Sequence, residues 1–407
     1  MTLPPLFHEI VRRLGPLGRV AGRAWWLLPL VLSACATQSS KAPTKTAPAL
    51  PAETAFNPDA GRGNLLFVTL RSDWGADLTF FIDTGTSHTT IDKSLEPTLD
   101  KPVGEAWTSH WGDTEKVAAY AAPKLFLGGT PLLTGSRVFI GDFKQLSAQT
   151  GRPVAGILGM DCLCHYCLQL DFDADKIRFL DPAQADGTPL GTAYHLTFRH
   201  GCPFIHQGNL AGEQGTNLLI DAGFRNDGTL ESDLYQQALS QPGPAGAPVG
   251  SQRADRWWFP QTTWTGGSYT NLLLGDGGTN FDRGQGGNSL GLRFLARHRV
   301  TFDFPHQVLY LKQTTSGPLV DRTMQAAQTF FRGLQEQGAL PGWSAAEAGA
   351  IYLEAYPNYD AFDGRKDGDA TVYHYQVARA ADTGAWKLLK AWRSNEAGKT
   401  IEEFSVL

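Results

Sequence analysis

Short apolar runs separated by turn residues fill most of the chain between residues 61 and 314. One example, "KLFLGGTPLLTGSRVFIGD" at 124–142, places apolar runs on both sides of Gly128-Gly129. Another, "TNLLLGDGGTN" at 270–280, passes from an apolar run into a glycine-rich loop. Runs of this length, bounded by Gly, Pro and Asp, are typical of β-strands joined by tight turns. The pattern therefore predicts a mainly β fold in this part of the chain.

The same stretch contains an internal repeat. "TFFIDTGTSHTTID" (79–92) and "NLLIDAGFRNDGTLESDL" (217–234) both pass from an apolar strand into Asp, a small residue and Gly. Further along, "GMDCLCHYCLQLDF" (159–172) aligns without a gap on "GLRFLARHRVTFDF" (291–304), and an apolar strand follows each. Self-similarity of this kind indicates two copies of one unit of ~120 residues. The first copy is placed at residues 61–183 and the second at 184–314.

The N-terminal region has a different pattern. Several arginines precede the apolar run Trp25–Leu32, which is too short to span a bilayer and is typical of a signal peptide. The run ends in Leu32-Ser33-Ala34-Cys35, which resembles a bacterial lipobox, where Cys35 becomes the lipidated first residue. We expect a lipoprotein signal peptide at 1–34 and a flexible tether rich in Pro, Ala, Ser and Thr at 35–60.

The lipobox resemblance implies a location. The protein would be anchored by Cys35 in the bacterial cell envelope, with its membrane contact made through the lipid. Ala36, in place of the Asp found in lipoproteins retained at the inner membrane, favours the outer membrane.

The composition shifts again after residue 314. A helix is predicted from Pro318 to Gln337, and a short second helix from Ser344 to Glu354. Alternating residues then predict three strands, "TVYHYQVAR", "AWKLLKAW" and "TIEEFSVL", with a hairpin turn at 382–384 between the first two. The pattern indicates a small α+β domain at 315–407, and no motif in it points to a function.

Charge excludes one class of partner. The chain has 35 basic and 40 acidic residues, and its net charge is −5. The sequence shows no run of Lys and Arg of the kind that binds nucleic acid. We therefore expect no nucleic-acid partner.

The cysteines suggest a disulfide more than a metal site. If Cys35 is lipidated, the remaining four are Cys162, Cys164, Cys167 and Cys202. "DCLCHYC" places three thiols near a histidine but lacks the two separated ligand pairs of a structural zinc site. Because the cell envelope is oxidising, a disulfide is favoured, with Cys167–Cys202 as our expected pair. Connectivity does not follow from sequence alone. We expect no metal and no organic cofactor.

One further motif contains a candidate nucleophile, Ser289. "GNSLG" at 287–291 matches the G-x-S-x-G pattern, which needs a strand before the Ser and a helix after it in a parallel α/β sheet. Here a glycine-rich loop precedes Ser289 and no β-α alternation surrounds it. Leu290 and Gly291 are also explained by the internal repeat, so the match does not indicate a serine nucleophile.

The repeat carries a family resemblance. Asp83-Thr84-Gly85-Thr86, followed later by Ile157-Leu158-Gly159, resembles the signature pair of retropepsin-like aspartic peptidases. The span from about 62 to 313 is similar to two such units in one chain, arranged as in the bilobal pepsins, and most closely resembles bacterial envelope proteins of the aspartyl protease family. The resemblance implies two tandem retropepsin-like (acid protease) β-barrel lobes and endopeptidase activity on peptide or protein substrates.

The resemblance also assigns roles to residues. Asp83 and Asp221 would activate a water between them, with Thr84 bracing the contact between the lobes and the Thr86 hydroxyl bonded to Asp83. The glycines that let the backbone pack closely around the pair would be Gly85, Gly223, Gly159 and Gly291. β-Hairpin flaps would close over the substrate, around Trp111 and Gly112 in the first copy and around Trp257 and Trp258 in the second.

The second copy departs from the family pattern. Ala222 stands where a bracing hydroxyl is expected, and Phe224 stands where Ser or Thr would support the carboxylate. The loss of hydrogen bonds to the ionised form predicts a raised pKa for Asp221. Three hypotheses remain open. The one we expect is a monomeric peptidase that uses Asp83 and Asp221. The others are a scaffold that binds peptides or the envelope without cleavage, and a dimeric peptidase that pairs Asp83 from two chains.

Overall fold

The computed structural model describes residues 49–110, 113–181, 189–208, 210, 215–240, 247–248, 256–278, 287–319, 333, 336, 348–355, 360–366, 371–379, 386–395 and 399–404. These residues are mainly in β-strands, as the turn-rich pattern predicts. The strands form four sheets. The predicted signal peptide and the lipidation site at Cys35 lie outside the described residues.

The strands of the first part of the chain are short, and most of them end at or directly before a glycine, a proline or an aspartate. They are β1 (Thr54–Ala55), β2 (Phe67–Ser72), β3 (Asp77–Ile82), β4 (Thr90–Asp92), β5 (Gly104–His110), β6 (Asp113–Ala121), β7 (Leu125–Leu127), β8 (Thr130–Pro131), β9 (Arg137–Gly141), β10 (Gly156–Leu158), β11 (Cys167–Asp171) and β12 (Lys176–Leu180). The helices of this part are a 3₁₀ helix at Lys93–Thr98, α1 (Lys144–Thr150) and α2 (Met160–Leu163).

The second part of the chain has a similar series of elements. Its strands are β13 (Thr192–His195), β14 (Thr197–Arg199), β15 (Cys202–Gly208), β16 (Gly215–Asp221), β17 (Gly228–Leu230), β18 (Ala247–Pro248), β19 (Arg256–Trp264), β20 (Gly267–Asp276), β21 (Ser289–Gly291), β22 (His298–Asp303) and β23 (Val308–Gln313). Its helices are α3 (Ser232–Ser240) and α4 (Leu292–Leu295).

Two of the sheets share one strand order. The nine-stranded first sheet contains the series β2-β3-β10-β4-β9-β6-β5, and the eight-stranded second sheet contains β15-β16-β21-β17-β20-β19-β18. In each series the second and third strands are parallel, and so are the fourth and fifth. The strand order therefore repeats together with the sequence.

A third sheet joins the two copies. Its six strands run β1-β12-β11-β22-β23-β13, with β11 from the first copy antiparallel to β22 from the second. At its centre the Gln169 Nε2 donates to the Thr301 Oγ1 at 2.9 Å. These two residues are aligned with each other in the sequence repeat, so the contact lies where the two copies meet symmetrically.

The prediction that the tether extends to residue 60 is wrong for its last residues. Thr54–Ala55 pairs with β12, and Phe56 and Ala60 are buried. The Phe56 ring packs on Phe172 at 5.4 Å between ring centroids. The Asn57 side chain also binds the backbone of Leu65 and Phe67. Burial of one aromatic ring and pairing of the backbone fix this segment, although its composition is typical of a linker.

The C-terminal part forms a five-stranded antiparallel sheet. Its strands, in sheet and chain order, are β24 (Ala348–Ala355), β25 (Asp360–Lys366), β26 (Val372–Arg379), β27 (Trp386–Ser394) and β28 (Thr400–Phe404). The three predicted strands correspond to the last three of these. The predicted helix at Ser344–Glu354 is wrong, because β24 occupies most of it and pairs with β25. The predicted helix at Pro318–Gln337 lies almost wholly outside the described residues, and the predicted turn at 382–384 lies entirely outside them.

Candidate active site

Asp83 and Asp221 occupy equivalent places in the repeated sheets. Asp83 directly follows β3, and its N–H donates to the Leu158 carbonyl at 3.1 Å. Asp221 is the last residue of β16 and lies in register with Gly291 of β21. Each aspartate is therefore held at the end of a strand that pairs in parallel with the strand leading to Gly159 in the first copy or to Gly291 in the second.

The two aspartate loops are packed against each other. A Cβ at Gly223 would lie 2.2 Å from the Asp83 Cγ, and a Cβ at Gly85 would lie 2.6 Å from the Asp221 Cγ. Each glycine also supports the aspartate of its own loop: the Gly85 N–H donates to Asp83 Oδ1 at 2.7 Å, and the Gly223 N–H to Asp221 Oδ1 at 2.9 Å. The two carboxyl groups are thus brought face to face by loops that tolerate no side chain at either glycine.

Burial raises the pKa of both carboxyl groups. Each residue keeps partial solvent exposure, while its carboxyl group is surrounded by protein. The pKa of Asp83 rises to about 6, because burial outweighs the hydrogen bonds that it accepts from the Gly85 N–H and from Asp221. The pKa of Asp221 rises well above its ordinary value because of burial and, second, the negative charge of Asp83. Close to neutral pH the pair therefore carries one proton, held mainly by Asp221.

The predicted rise in the pKa of Asp221 is confirmed, but its cause is different. The sequence predicted it from hydrogen bonds lost at Ala222 and Phe224. In the structure burial is the largest cause, and the backbone N–H groups of Gly223 and Phe224 still lower the pKa. Burial of the carboxyl group therefore affects the pKa of Asp221 more than the identity of the side chain at position 224 does.

Thr84 braces the two loops from one side. Its hydroxyl donates to the Ile220 carbonyl at 2.6 Å and accepts from the Ala222 N–H at 2.9 Å. Both Thr84 and Ala222 are almost wholly buried. Because Ala222 has no hydroxyl, the reciprocal side-chain bond from the second loop to the first is missing. Thr84 therefore joins the two loops from one side only, and its role as a brace between lobes stays a prediction.

The role predicted for the Thr86 hydroxyl is wrong. Asp83 receives a hydrogen bond from the backbone N–H of Thr86, and among the described residues the hydroxyl makes no bond to it. The carbonyl of Thr86 in turn accepts from the Met160 N–H at 2.9 Å. At Thr86 the backbone, rather than the side chain, therefore supports the Asp83 carboxylate.

Gly159 and Gly291 leave room for the aspartate loops. A Cβ at Gly159 would lie 2.6 Å from the His88 backbone, and one at Gly291 would lie 2.2 Å from the Asn226 carbonyl oxygen. Both contacts are with residues that closely follow the catalytic candidates in sequence. These glycines therefore allow the strands β10 and β21 to approach the loops, as the family resemblance implies.

A buried ion pair lies beneath the second loop and was missed from sequence. Asp227, six residues after Asp221, accepts from Arg297 Nη2 at 2.8 Å, and both side chains are fully buried. Its other oxygen accepts from the Leu273 N–H at 2.7 Å. Arg293 lies 3.7 Å from the same carboxylate.

In the first copy a threonine and an aspartate stand at the equivalent positions. Thr89 is the residue aligned with Asp227, and Asp161 is aligned with Arg293. The N–H and the hydroxyl of Thr89 both donate to Asp161 Oδ1 at 2.8 Å. In the gap-free alignment of the two copies, the acidic Asp161 is aligned with the basic Arg293. This difference in charge was the sequence signal that could have revealed the ion pair beneath the second loop.

Both predicted flaps lie on corresponding hairpins. Strands β5 and β6 pair as far as His110 and Asp113, so a two-residue connection joins them. That connection is Trp111 and Gly112, which lie outside the described residues. Trp257 and Trp258 lie near the start of β19 and pair with Pro248 and Ala247 of β18. The hairpins are confirmed, and their closing over a substrate stays a prediction.

The predicted disulfide is absent. Cys162, Cys164, Cys167 and Cys202 are all free thiols. Cys167 lies in β11 opposite Asp303, whereas Cys202 begins β15 and its sulfur contacts the Gly85 carbonyl. The two cysteines are therefore engaged with different partners in different sheets.

Metal-binding clusters and membrane-spanning helices are both missing from the described part of the chain. It contains no group of three or more His, Cys, Asp and Glu side chains placed to bind a metal ion. None of its helices is both long and apolar enough to cross a membrane.

Comparison with known proteins adds no relative. A scan against models of known protein families found no match, and a search of curated proteins found no significant one.

Proposed function

We propose that this protein is an aspartic endopeptidase in which a water activated between Asp83 and Asp221 hydrolyses peptide bonds. The observation that carries the proposal is the packing of each carboxyl group against the glycine of the opposite loop. The pattern of raised pKa values supports it, because a pair with one shared proton supplies both a base and an acid.

The chemistry follows from the distribution of the proton. Ionised Asp83 takes a proton from the water, whose oxygen attacks the carbonyl carbon of the peptide bond. Protonated Asp221 donates its proton to the carbonyl oxygen, so that a neutral tetrahedral diol forms. Asp83 then returns a proton to the leaving nitrogen while Asp221 recovers one from the diol, and the C–N bond breaks. Two products leave and the pair regains its starting protonation.

The proposed fold is two retropepsin-like β-barrel lobes in tandem. The repeated strand order of the first and second sheets and the symmetric centre of the third sheet support this proposal. Because Asp83 already faces Asp221 within one chain, pairing of two molecules is not required for the site. We therefore propose that the protein acts as a monomer.

The proposed setting is the bacterial cell envelope. It rests on the arginine-rich start, the short apolar run and the lipobox-like Leu32-Ser33-Ala34-Cys35. A lipid on Cys35 would attach the enzyme to the membrane, with the outer membrane favoured by Ala36. The substrates would be peptides or proteins that reach this compartment.

A second function is favoured by one specific observation. The brace between the loops is one-sided, because Ala222 offers no hydroxyl in return for that of Thr84. A site that has lost part of its support could bind peptides without cleaving them. This alternative makes the protein a peptide- or envelope-binding lipoprotein on the same scaffold.

Cleavage of a diverse peptide library tests these alternatives. The full chain, kept in detergent if its N-terminus is lipidated, is incubated with the library from pH 3 to 9, and products are read by mass spectrometry. Asp83→Asn and Asp221→Asn serve as the two variants. Cleavage that both substitutions abolish supports the paired mechanism. Cleavage that survives Asp221→Asn contradicts it and favours pairing of Asp83 from two chains, and peptide binding without any cleavage favours the second function.

A further inference from the structure

A tight turn in the second copy reaches across to the loop of the first. Strands β14 and β15 are joined by His200 and Gly201, with Arg199 paired to Cys202. The φ angles of His200 and Gly201 are 50° and 82°. Positive φ at both positions of a two-residue connection is the mark of a type I′ turn, which fixes the direction of the strand that follows. The turn therefore sets the position of Cys202, the first residue of β15.

This turn and Cys202 contact the Asp83 loop at two points. The Cys202 sulfur lies 3.2 Å from the Gly85 carbonyl oxygen. A Cβ at Gly201 would lie 3.1 Å from the Ser87 Cβ, so the turn itself packs on the same loop. Cys202 is 8% exposed and its thiol is free. Burial raises its pKa to about 12, so the sulfur keeps its proton and is a hydrogen-bond donor throughout the physiological range.

The contact is found in one copy of the repeat. Phe204 pairs with Leu219, two residues before Asp221, and Phe67 pairs with Phe81, two residues before Asp83. Phe204 and Phe67 are therefore equivalent positions. Cys202 lies two residues before Phe204, and Leu65 lies two residues before Phe67, so Leu65 is the equivalent of Cys202 in the first copy. The side chain of Leu65 is apolar and cannot donate a hydrogen bond.

The two asymmetries of the site are complementary. Thr84 holds the second loop from the first, and Ala222 gives nothing in return. Cys202 belongs to the second copy and holds the first loop at Gly85, whose N–H positions the Asp83 carboxylate. We propose that Cys202 is a positioning residue of the active site, which supplies through its S–H bond to Gly85 the cross-loop support that the second copy lost at Ala222. The effect of Cys202 on catalysis rests on the proposed function, whereas its hydrogen bond to Gly85 does not.

The experiment measures amide hydrogen exchange at Gly85 and Gly223 separately. The full chain is compared with Cys202→Ala and Cys202→Val, which lack a donor, and with Cys202→Ser, which retains one. Cys167→Ala is the matched control, because Cys167 is an equally buried free thiol in β11. We expect exchange at Gly85 to become roughly five- to tenfold faster in the Ala and Val variants. Exchange at Gly223 should stay unchanged, and Ser should restore slow exchange at Gly85.

The readout separates a local role from general destabilisation. A variant that is merely less stable accelerates exchange at Gly85 and Gly223 together, and that outcome overturns the proposal. Unchanged exchange at Gly85 in both Ala and Val, or an equal effect of Cys167→Ala, also overturns it. Where the protein cleaves peptides, the Ala and Val variants should lower kcat with KM nearly unchanged. If the protein cleaves nothing, the proposed function fails while the exchange data still decide whether Cys202 holds the loop.

Discussion

The Asp83 carboxyl group occupies the space that a side chain at Gly223 would need. The Asp83 Cγ lies 2.2 Å from the position of a Cβ on Gly223, although the two residues are far apart in sequence. The carboxyl group of Asp83, in the first copy, can therefore take its position only because residue 223 of the second copy is a glycine. This relationship makes the geometry of the pair sensitive to the smallest possible side chain.

A methyl group at Gly223 should greatly slow peptide cleavage. Gly223→Ala must displace the Asp83 carboxyl group, and misplacement of a catalytic group by about 1 Å costs on the order of 100-fold in rate. We expect kcat/KM for peptide cleavage to fall by at least that factor while the far-ultraviolet circular dichroism is retained. Gly333→Ala is the control, because none of the described residues lies within 4 Å of the added carbon. An active Gly223→Ala enzyme would contradict the assigned geometry.

Removing either carboxyl group should stabilise the protein at neutral pH. The pKa of each aspartate is raised in the folded state, so the folded protein holds protons that the unfolded chain has released. Stability therefore falls as pH rises from about 4, the pKa of an unfolded aspartate, through the folded values. Asp83→Asn or Asp221→Asn should raise the free energy of unfolding at pH 7–8 by on the order of 1–3 kcal/mol.

The pH dependence of that gain is its check. Near pH 4 the unfolded aspartates have only begun to ionise and little stability has yet been lost, so the gain should be much smaller than at pH 7.5. Urea unfolding at pH 4 and pH 7.5 measures the difference. Asp77→Asn, at an exposed aspartate of β3, is the control and should show no such gain. A gain that is equal at both pH values would point to a cause other than titration.

Peptide cleavage should show a bell-shaped pH profile. The one-proton form of the pair exists above the pKa of Asp83, about 6, and below the raised pKa of Asp221. We expect kcat/KM to rise with pH through the first value and to fall through the second. Rates measured between pH 3 and 10 test this expectation. A rate that climbs without limit above neutrality would speak against a carboxyl pair.

A hydroxyl at position 222 should strengthen the brace. Ala222→Thr offers the second loop a side-chain bond to the first, and one buried hydrogen bond contributes about 1 kcal/mol. The isosteric control is Ala222→Val, which adds the same bulk to this fully buried site without the hydroxyl. We expect the Thr variant to exceed the Val variant by about 1 kcal/mol in stability and to have the higher kcat. Equal behaviour of the two variants would show that the missing hydroxyl is of no consequence.

The buried ion pair beneath the second loop should be essential for stability. Arg297→Met leaves Asp227 as a buried carboxylate without its 2.8 Å partner, and breaking such a pair typically costs about 3–5 kcal/mol. Chemical denaturation measures the loss. Lys93→Met, which breaks an exposed pair with Asp142, should cost less than about 1 kcal/mol. Similar losses of unfolding free energy in both variants would contradict the interpretation that Arg297 neutralises a buried carboxylate.

Local sequence patterns were sufficient for much of the architecture. The mainly β class, the strands that end at Asp83 and Asp221 and the last three strands of the C-terminal sheet all followed from alternation and turn residues. The predicted helix at Ser344–Glu354 failed because "SAAEAGAIYLE" is rich in Ala and Glu, which favour helix. In the structure β24 instead pairs with β25, and such tertiary pairing overrides local propensity.

The sequence by itself determined which residues form the pair, because each aspartate lies in a repeated motif whose strand, turn and glycine are local. Tertiary structure decided what surrounds the pair. The depth of the two carboxyl groups raises both pKa values and depends on the packing of both loops. The contact of the Cys202 thiol with the Gly85 carbonyl and the Asp227–Arg297 pair likewise join residues distant in sequence. Periodicity reports which face of a strand is buried, whereas the approach of two loops depends on how entire sheets pack, and no local pattern records it.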